Sequence, residues 1–222
     1  MQGSLANDTT SPRPVLKVRL SDSRTQSTSK PDVTGADGYS YKITECYGGK
    51  GGKAFDYIPK KERRVAGLRV WHNKVVEAVQ LIFRDNNNGK KSESAKFGQH
   101  TLVAGWLAPS SARQGTYYEL ESGEYFTCSK GKIVNFFGLN VIGVLEIWTN
   151  KGKHLLFGGK NFHSYEEFFI SAGQGKCIAG VYGGAGAVLD RLGFYVSNIS
   201  DEPFLETWDD AWYFITNSSK RK

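Results

Sequence analysis

K-C-I-A-G-V-Y-G-G-A-G-A-V-L-D-R-L-G-F-Y-V, from Lys176 to Val196, is the stretch on which the reading of the fold turns. It has an apolar strand, a glycine-built turn, and a second strand with Leu192, Phe194 and Val196 alternating on one face. The turn holds Gly186-Ala187-Val188-Leu189-Asp190, a G-x-x-x-D pattern. Gly184 and Gly186 remove side-chain bulk, so neighbouring backbone amides can approach a ligand. Asp190 supplies a carboxylate that can accept hydrogen bonds from two hydroxyls at once. Amides that donate beside a carboxylate that accepts suit a polyol such as a sugar. The same residues also fit a plain hairpin whose aspartate caps its own turn.

A second glycine cluster lies far upstream, where Tyr47 to Asp56 reads Y-G-G-K-G-G-K-A-F-D. Between the two clusters come Glu121-Ser122-Gly123-Glu124-Tyr125, Ile147-Trp148-Thr149-Asn150-Lys151-Gly152 and Phe157-Gly158. This ordered set, closed by the L-D-R-L-G-F-Y continuation of the turn, resembles the jacalin-related lectins over residues 40 to 198. The resemblance implies an all-β chain folded as a β-prism, with three four-stranded Greek-key sheets about a pseudo-threefold axis. No strict internal repeat in the sequence displays that symmetry.

The residues support an all-β class independently. The chain has 222 residues, 26 glycines and 13% aromatic content, and turn signals punctuate short apolar runs. Strands are expected at Tyr41–Cys46, on both sides of the His72-Asn73-Lys74 turn, and from Ile133 to Trp148. Lys90 to Lys96 reads as a loop, and Tyr117 to Lys130 as a hairpin-like pair around Glu121–Gly123. Residues 1–38 read as a flexible arm with one apolar patch at Val15–Leu20. Residues 39–198 form the lectin-like domain. Residues 199–222 form an extension in which Phe204, Leu205, Trp208, Ala211, Trp212 and Ile215 follow a helical period. No apolar run is long enough to cross a membrane as a helix, and no signal-peptide pattern opens the chain. Compartment stays open. Cys46, Cys128 and Cys177 are odd in number and lack C-x-x-C spacing, which favours free thiols.

The lectin resemblance carries a site with it. Gly52 matches the family's first-loop glycine, whose amide meets a ring hydroxyl. Gly186 opens the second turn, and Ala187 and Val188 match the residues whose amides bind around the sugar ring oxygens. Asp190 matches the carboxylate that accepts from two hydroxyls. Galactose-preferring members carry a free amino terminus at the first glycine and aromatic residues in the second turn. Here the chain continues upstream of Gly52 and the turn holds Ala187 and Val188, so mannose or glucose is implied. Tyr47 and Tyr182 are candidates for stacking. Some members have further sugar sites on other sheets; at the loop matched to one of them stands Lys60-Lys61-Glu62-Arg63-Arg64, with no aspartate at the right spacing. No second neutral-sugar site is expected there, and Lys60, Lys61, Arg63 and Arg64 are candidates for sulfated or acidic glycans.

An enzyme fits poorly. His72, His100, His154 and His163 are scattered, no nucleophile or zinc motif occurs, and Ser27-Thr28-Ser29-Lys30 lies in the arm. No cofactor, metal or nucleic-acid partner is expected. The net charge of +7 keeps a second reading open, an interaction module of the same fold that meets anionic glycans, surfaces or a protein through the basic loop and aromatic tail. A single weak sugar site would also call for oligomerisation, whose state the sequence does not fix.

Overall fold

The structure is a computed structural model that describes residues 32–34, 40–60, 62–99, 115–159 and 166–201. Three long antiparallel hairpins form its frame: β5 (Arg63–His72) with β6 (Val76–Asp85), β10 (Phe126–Phe136) with β11 (Leu139–Thr149), and β14 (Lys176–Ala185) with β15 (Leu189–Asn198). Each hairpin is the centre of one sheet. On the first, β9 (Thr116–Glu119) flanks β5, while β7 (Lys91–Glu93) and β8 (Phe97–Gly98) flank β6. On the second, β13 (Glu166–Ser171) flanks β10 and β12 (His154–Gly158) flanks β11. On the third, β4 (Lys53–Tyr57) flanks β14, and β2 (Ser40–Ile43) and β3 (Tyr47–Gly48) flank β15. β1 (Val33–Thr34) adds to β2, inside the stretch read as an arm. The all-β prism with three Greek-key sheets is thus the observed fold. Two sheets exceed four strands because the strand beside the second hairpin strand is broken into short pieces, β7/β8 and β2/β3. Among the described residues the one helical turn is the 3-10 turn Ile199–Asp201. The Val15–Leu20 patch and the helical periodicity at 204–215 lie outside the described residues.

Alternation along the hairpins explains the closure. Leu68 and Leu81 from one sheet, Ile142 and Leu145 from the second, and Leu189 and Phe194 from the third meet in one core cluster. A separate small cluster gathers Val75, Val134, Phe136, Val141 and Val188 where the three hairpin tips converge. The tips therefore share one end of the prism.

A repeat that the sequence hides becomes visible in the register. Tyr47-Gly48, Phe97-Gly98 and Phe157-Gly158 each pair with the second strand of a hairpin. The aromatic ring packs on the core and the glycine holds a positive φ, at 130°, 110° and 103°. A Cβ on these glycines would lie 2.2 Å from the Asp190 carbonyl oxygen, 2.2 Å from that of Glu77 and 2.1 Å from that of Gly143. Asp190, Glu77 and Gly143 are therefore threefold equivalents.

Two expectations are corrected. Lys91–Glu93 pairs with β6 rather than remaining a loop. Thr116–Glu119 and Phe126–Phe136 do not form a hairpin; β9 pairs with β5 and β10 with β11, so the chain changes sheets between them. The crossing is held by Glu124, which is 0% exposed. Its carboxylate accepts the Tyr118 hydroxyl at 2.8 Å, the Thr149 hydroxyl at 2.7 Å and the Glu121 amide at 2.8 Å. Asn150 seals the same junction, accepting from the Tyr125 amide at 2.9 Å and donating to the Gly123 carbonyl at 3.0 Å. The acidic turn and the T-N-K-G hairpin are thus one structural lock.

Burial pushes the Glu124 carboxyl upward, but the amide and two hydroxyls outweigh it, so the net direction is below the ordinary glutamate value. A depressed acid stabilises the fold above its unfolded value and loses that contribution as pH falls through the folded one. Glu124→Ala is expected to cost about 3–5 kcal/mol, because it also strands buried donors. The wild type should lose more stability on acidification than Glu124→Gln, read as Tm against pH. Gly158→Ala should cost ~2–4 kcal/mol, while Gly152→Ala, with positive φ but no atom within 4 Å of the added carbon, should cost only about 1 kcal/mol. Chemical denaturation of both variants checks the contrast.

Candidate carbohydrate-binding site

Pairing of β4 with the end of β14 sets the geometry, since Lys53 lies opposite Ala185 and Ala54 opposite Gly184. The first glycine loop is thereby laid against the turn between β14 and β15. Gly49 donates its amide to the Asp190 carbonyl at 2.8 Å. A Cβ on Gly51 would lie 2.3 Å from Oδ1 of Asp190, and one on Gly52 would lie 2.5 Å from Oδ2. Glycine is required at both positions so that the carboxylate can sit on the loop. Gly52 has φ at 70°, and Gly186 lies close enough that its own Cβ would be 3.7 Å from the Gly52 Cα.

Asp190 is only 4% exposed. Oδ2 accepts the Gly186 amide at 3.1 Å, so the turn-capping reading of this aspartate is realised. No protein donor among the described residues bonds Oδ1, so one oxygen keeps its acceptor capacity. Burial raises the Asp190 carboxyl above its ordinary value, against the Gly186 amide and the neighbouring Arg191, which pull it down.

The remaining expected residues divide. Gly52, Gly186 and Asp190 converge. Ala187 is half-buried at the tip. Val188 is buried in the tip cluster, and its carbonyl accepts the Gly186 amide at 3.0 Å, so its side chain builds the turn. Tyr47 stacks on Phe168 at 5.1 Å and donates its hydroxyl to Glu45, which commits the ring to packing. Tyr182 lies under Gly193 and donates to the Thr44 carbonyl at 2.5 Å. Neither ring serves as a platform over Asp190.

The described members of the basic cluster do not share one loop. Arg63 and Arg64 open β5, and Arg64 is 8% exposed, beside Leu120, Tyr125 and Cys177. Strand pairing turns alternate residues inward, which separates Arg64 from exposed Lys60. Lys61 lies outside the described residues. The match of this loop to a second sugar turn is also corrected. By register, the turn equivalent to Gly186–Asp190 is Asn73–Glu77. There the Asn73 amide donates to the Val75 carbonyl at 3.1 Å, as Gly186 does to Val188, and buried Glu77 takes the place of Asp190.

Sequence reasoning missed Arg191. Its guanidinium lies over Gly184, and Nη1 donates to the Gly51 carbonyl at 2.6 Å, tying the first loop to the second turn. The signal was present in Gly184, which leaves room for the arginine, but its use depends on the partner loop.

The comparisons agree with this fold. Horcolin of Hordeum vulgare subsp. vulgare is 27% identical over 151 residues, covering 68% of this chain and 93% of horcolin. The Malaysian banana lectin structure superposes with a TM-score of 0.55 at 24% identity, over 71% of this chain and 99% of that one. AcmJRL, a mannose-binding jacalin-related lectin from Ananas comosus, gives 0.57 at 18% identity, over 71% and 98%. Artocarpin, solved in complex with mannotriose, gives 0.56 at 19% identity, over 71% and 97%. At these identities the solved structures speak for the fold. Residues 44–195, more than half of the chain, match the Jacalin-like lectin domain, and the chain belongs to that family.

Proposed function

We propose that this lectin binds mannose- or glucose-type glycans between the first glycine loop and the β14–β15 turn. The observation that carries the reading is the Asp190 carboxylate, seated on Gly51 and Gly52 with one oxygen capping the turn and the other without a protein donor. The amides of Gly52, Ala187 and Val188 supply donors, and Asp190 supplies the charged acceptor. The turn's Ala187 and Val188 offer no aromatic platform for a galactose face. The name of the pineapple lectin and the artocarpin–mannotriose complex point to the same sugar class. The protein acts in this reading by binding alone, with no residue in a catalytic role. We take residues 39–198 as the working lectin domain.

Titration calorimetry with methyl mannoside tests the site. Asp190→Asn is expected to weaken binding about 10- to 150-fold, the loss of ~1.5–3 kcal/mol carried by a charge-assisted bond. Since burial raises the Asp190 carboxyl, its charged form is held at a cost to the fold, so the variant should melt no lower than wild type. For the same reason, binding should fade on acidification at a pH above the ordinary aspartate value. Unchanged affinity in Asp190→Asn would remove the site. Binding confined to sulfated glycans and abolished by salt would move recognition to exposed cations.

A further inference from the structure

Phe137 is 89% exposed and Leu139 is 55% exposed, on either side of Gly138 at the tip of the β10–β11 hairpin. Phe137 is also the one non-glycine residue with positive φ, 51°, among the described residues. The turn does not need these side chains. Asn135 closes it by accepting the Gly138 amide at 3.1 Å, and a polar residue at 137 would serve the left-handed conformation better. A bulky apolar residue kept in a strained, solvent-facing position points to a use outside the fold.

The tip stands clear of its surroundings, with no atom within 4 Å of where a Gly138 side chain would begin. Its base is firm, because the Phe137 ring meets Phe136 edge-on at 4.6 Å and Phe136 is buried with Val75, Val141 and Val188. Lysines stand on the loops next to it. Lys50 follows Gly49, whose Cβ would lie 2.0 Å from the Asn140 carbonyl, and Lys74 precedes Val75 of the tip cluster. Lys53 opens β4 beside the same loop. Elsewhere Lys91 pairs with Glu119, Lys130 and Lys132 pair with Glu167, and Lys151 and Lys153 pair with Glu121. Lys50, Lys53 and Lys74, like Lys42, Lys60, Lys90 and Lys176 farther off in sequence, form no ion pair among the described residues. The loops 48–53, 72–76, 137–140 and 186–188 contain no acid and the nearby Asp190 and Glu77 are buried, while the exposed Glu45 and Glu166 lie beside Tyr47.

We propose that Phe137 and Leu139 insert into an anionic lipid surface, with Lys50, Lys53 and Lys74 at headgroup level, so that the tip end of the prism docks on a membrane. Two apolar side chains reach only the interfacial layer, and each lysine adds attraction to anionic headgroups that salt screens. The lysines and the apolar tip act together, so docking is reversible. It also faces the Asp190 turn toward the same surface, although the docking does not depend on sugar binding.

Vesicle sedimentation tests this with phosphatidylcholine alone and with phosphatidylserine added at about one part in four. Wild type is expected to partition onto the anionic vesicles and to leave them in high salt. Phe137→Ser/Leu139→Ser should weaken partitioning by about tenfold or more, and Lys50→Gln/Lys74→Gln should weaken it severalfold, both with Tm near wild type. Asp190→Asn should partition as wild type does, which separates this outcome from the fate of the sugar site. Wild type remaining in the supernatant overturns the proposal, as does equal partitioning of the tip variant. If vesicles are ignored while the tip variant loses affinity for a mannose oligosaccharide, the tip belongs to glycan recognition instead.

Discussion

Everything at the candidate site depends on the first described strands returning to the last hairpin. β2 and β3 pair with β15, and β4 pairs with β14, so the third sheet is completed by strands about 140 residues away in sequence. That closure brings Gly51 and Gly52 onto Asp190. The contact tolerates no side chain on the loop, because a carbon at either glycine would collide with the carboxylate. Arg191 then fastens the loop by its bond to the Gly51 carbonyl. Strand pairing sets the register, steric fit positions the loop, and the Arg191 guanidinium ties it down.

The threefold frame shows how one architecture carries different ends. The aromatic-glycine pairs at 47–48, 97–98 and 157–158 make the same close approach in all three sheets. The residue they touch differs: Asp190, Glu77 or Gly143. Structural demand is met by the glycine backbone and the ring, and both are kept in each sheet. The side chain at the touched position is released from that demand and is free to carry chemistry. A carboxylate appears twice, a bare glycine once.

Asp190 and Glu124 illustrate how surroundings divide two buried acids. Glu124 is saturated with three donors and held below its ordinary value, and it secures the passage of the chain between sheets. Asp190 receives one amide, is raised by burial, and keeps acceptor capacity. A fully satisfied buried acid secures the fold, whereas an under-satisfied one leaves an acceptor open to an incoming donor. The exposed Phe137 tip follows the same logic in apolar form, since local stability is given up where an external surface can restore it.

The sequence by itself determined the all-β class, the two glycine clusters, the G-x-x-x-D turn and the membership of the family. Those signals are local: alternation marks strands, and glycine with aspartate marks a turn whatever lies across from it. It also marked Glu124 and Asn150, though not that they lock onto each other. Only the tertiary structure decided that β9 and β10 belong to different sheets and that Arg64 turns inward. It alone revealed Arg191 as the tie between loops and Asn73–Glu77 as the equivalent turn. These depend on which strands pair and in what register, contacts made between residues far apart in the chain. A one-residue slip exchanges inside for outside, and no local pattern records the partner.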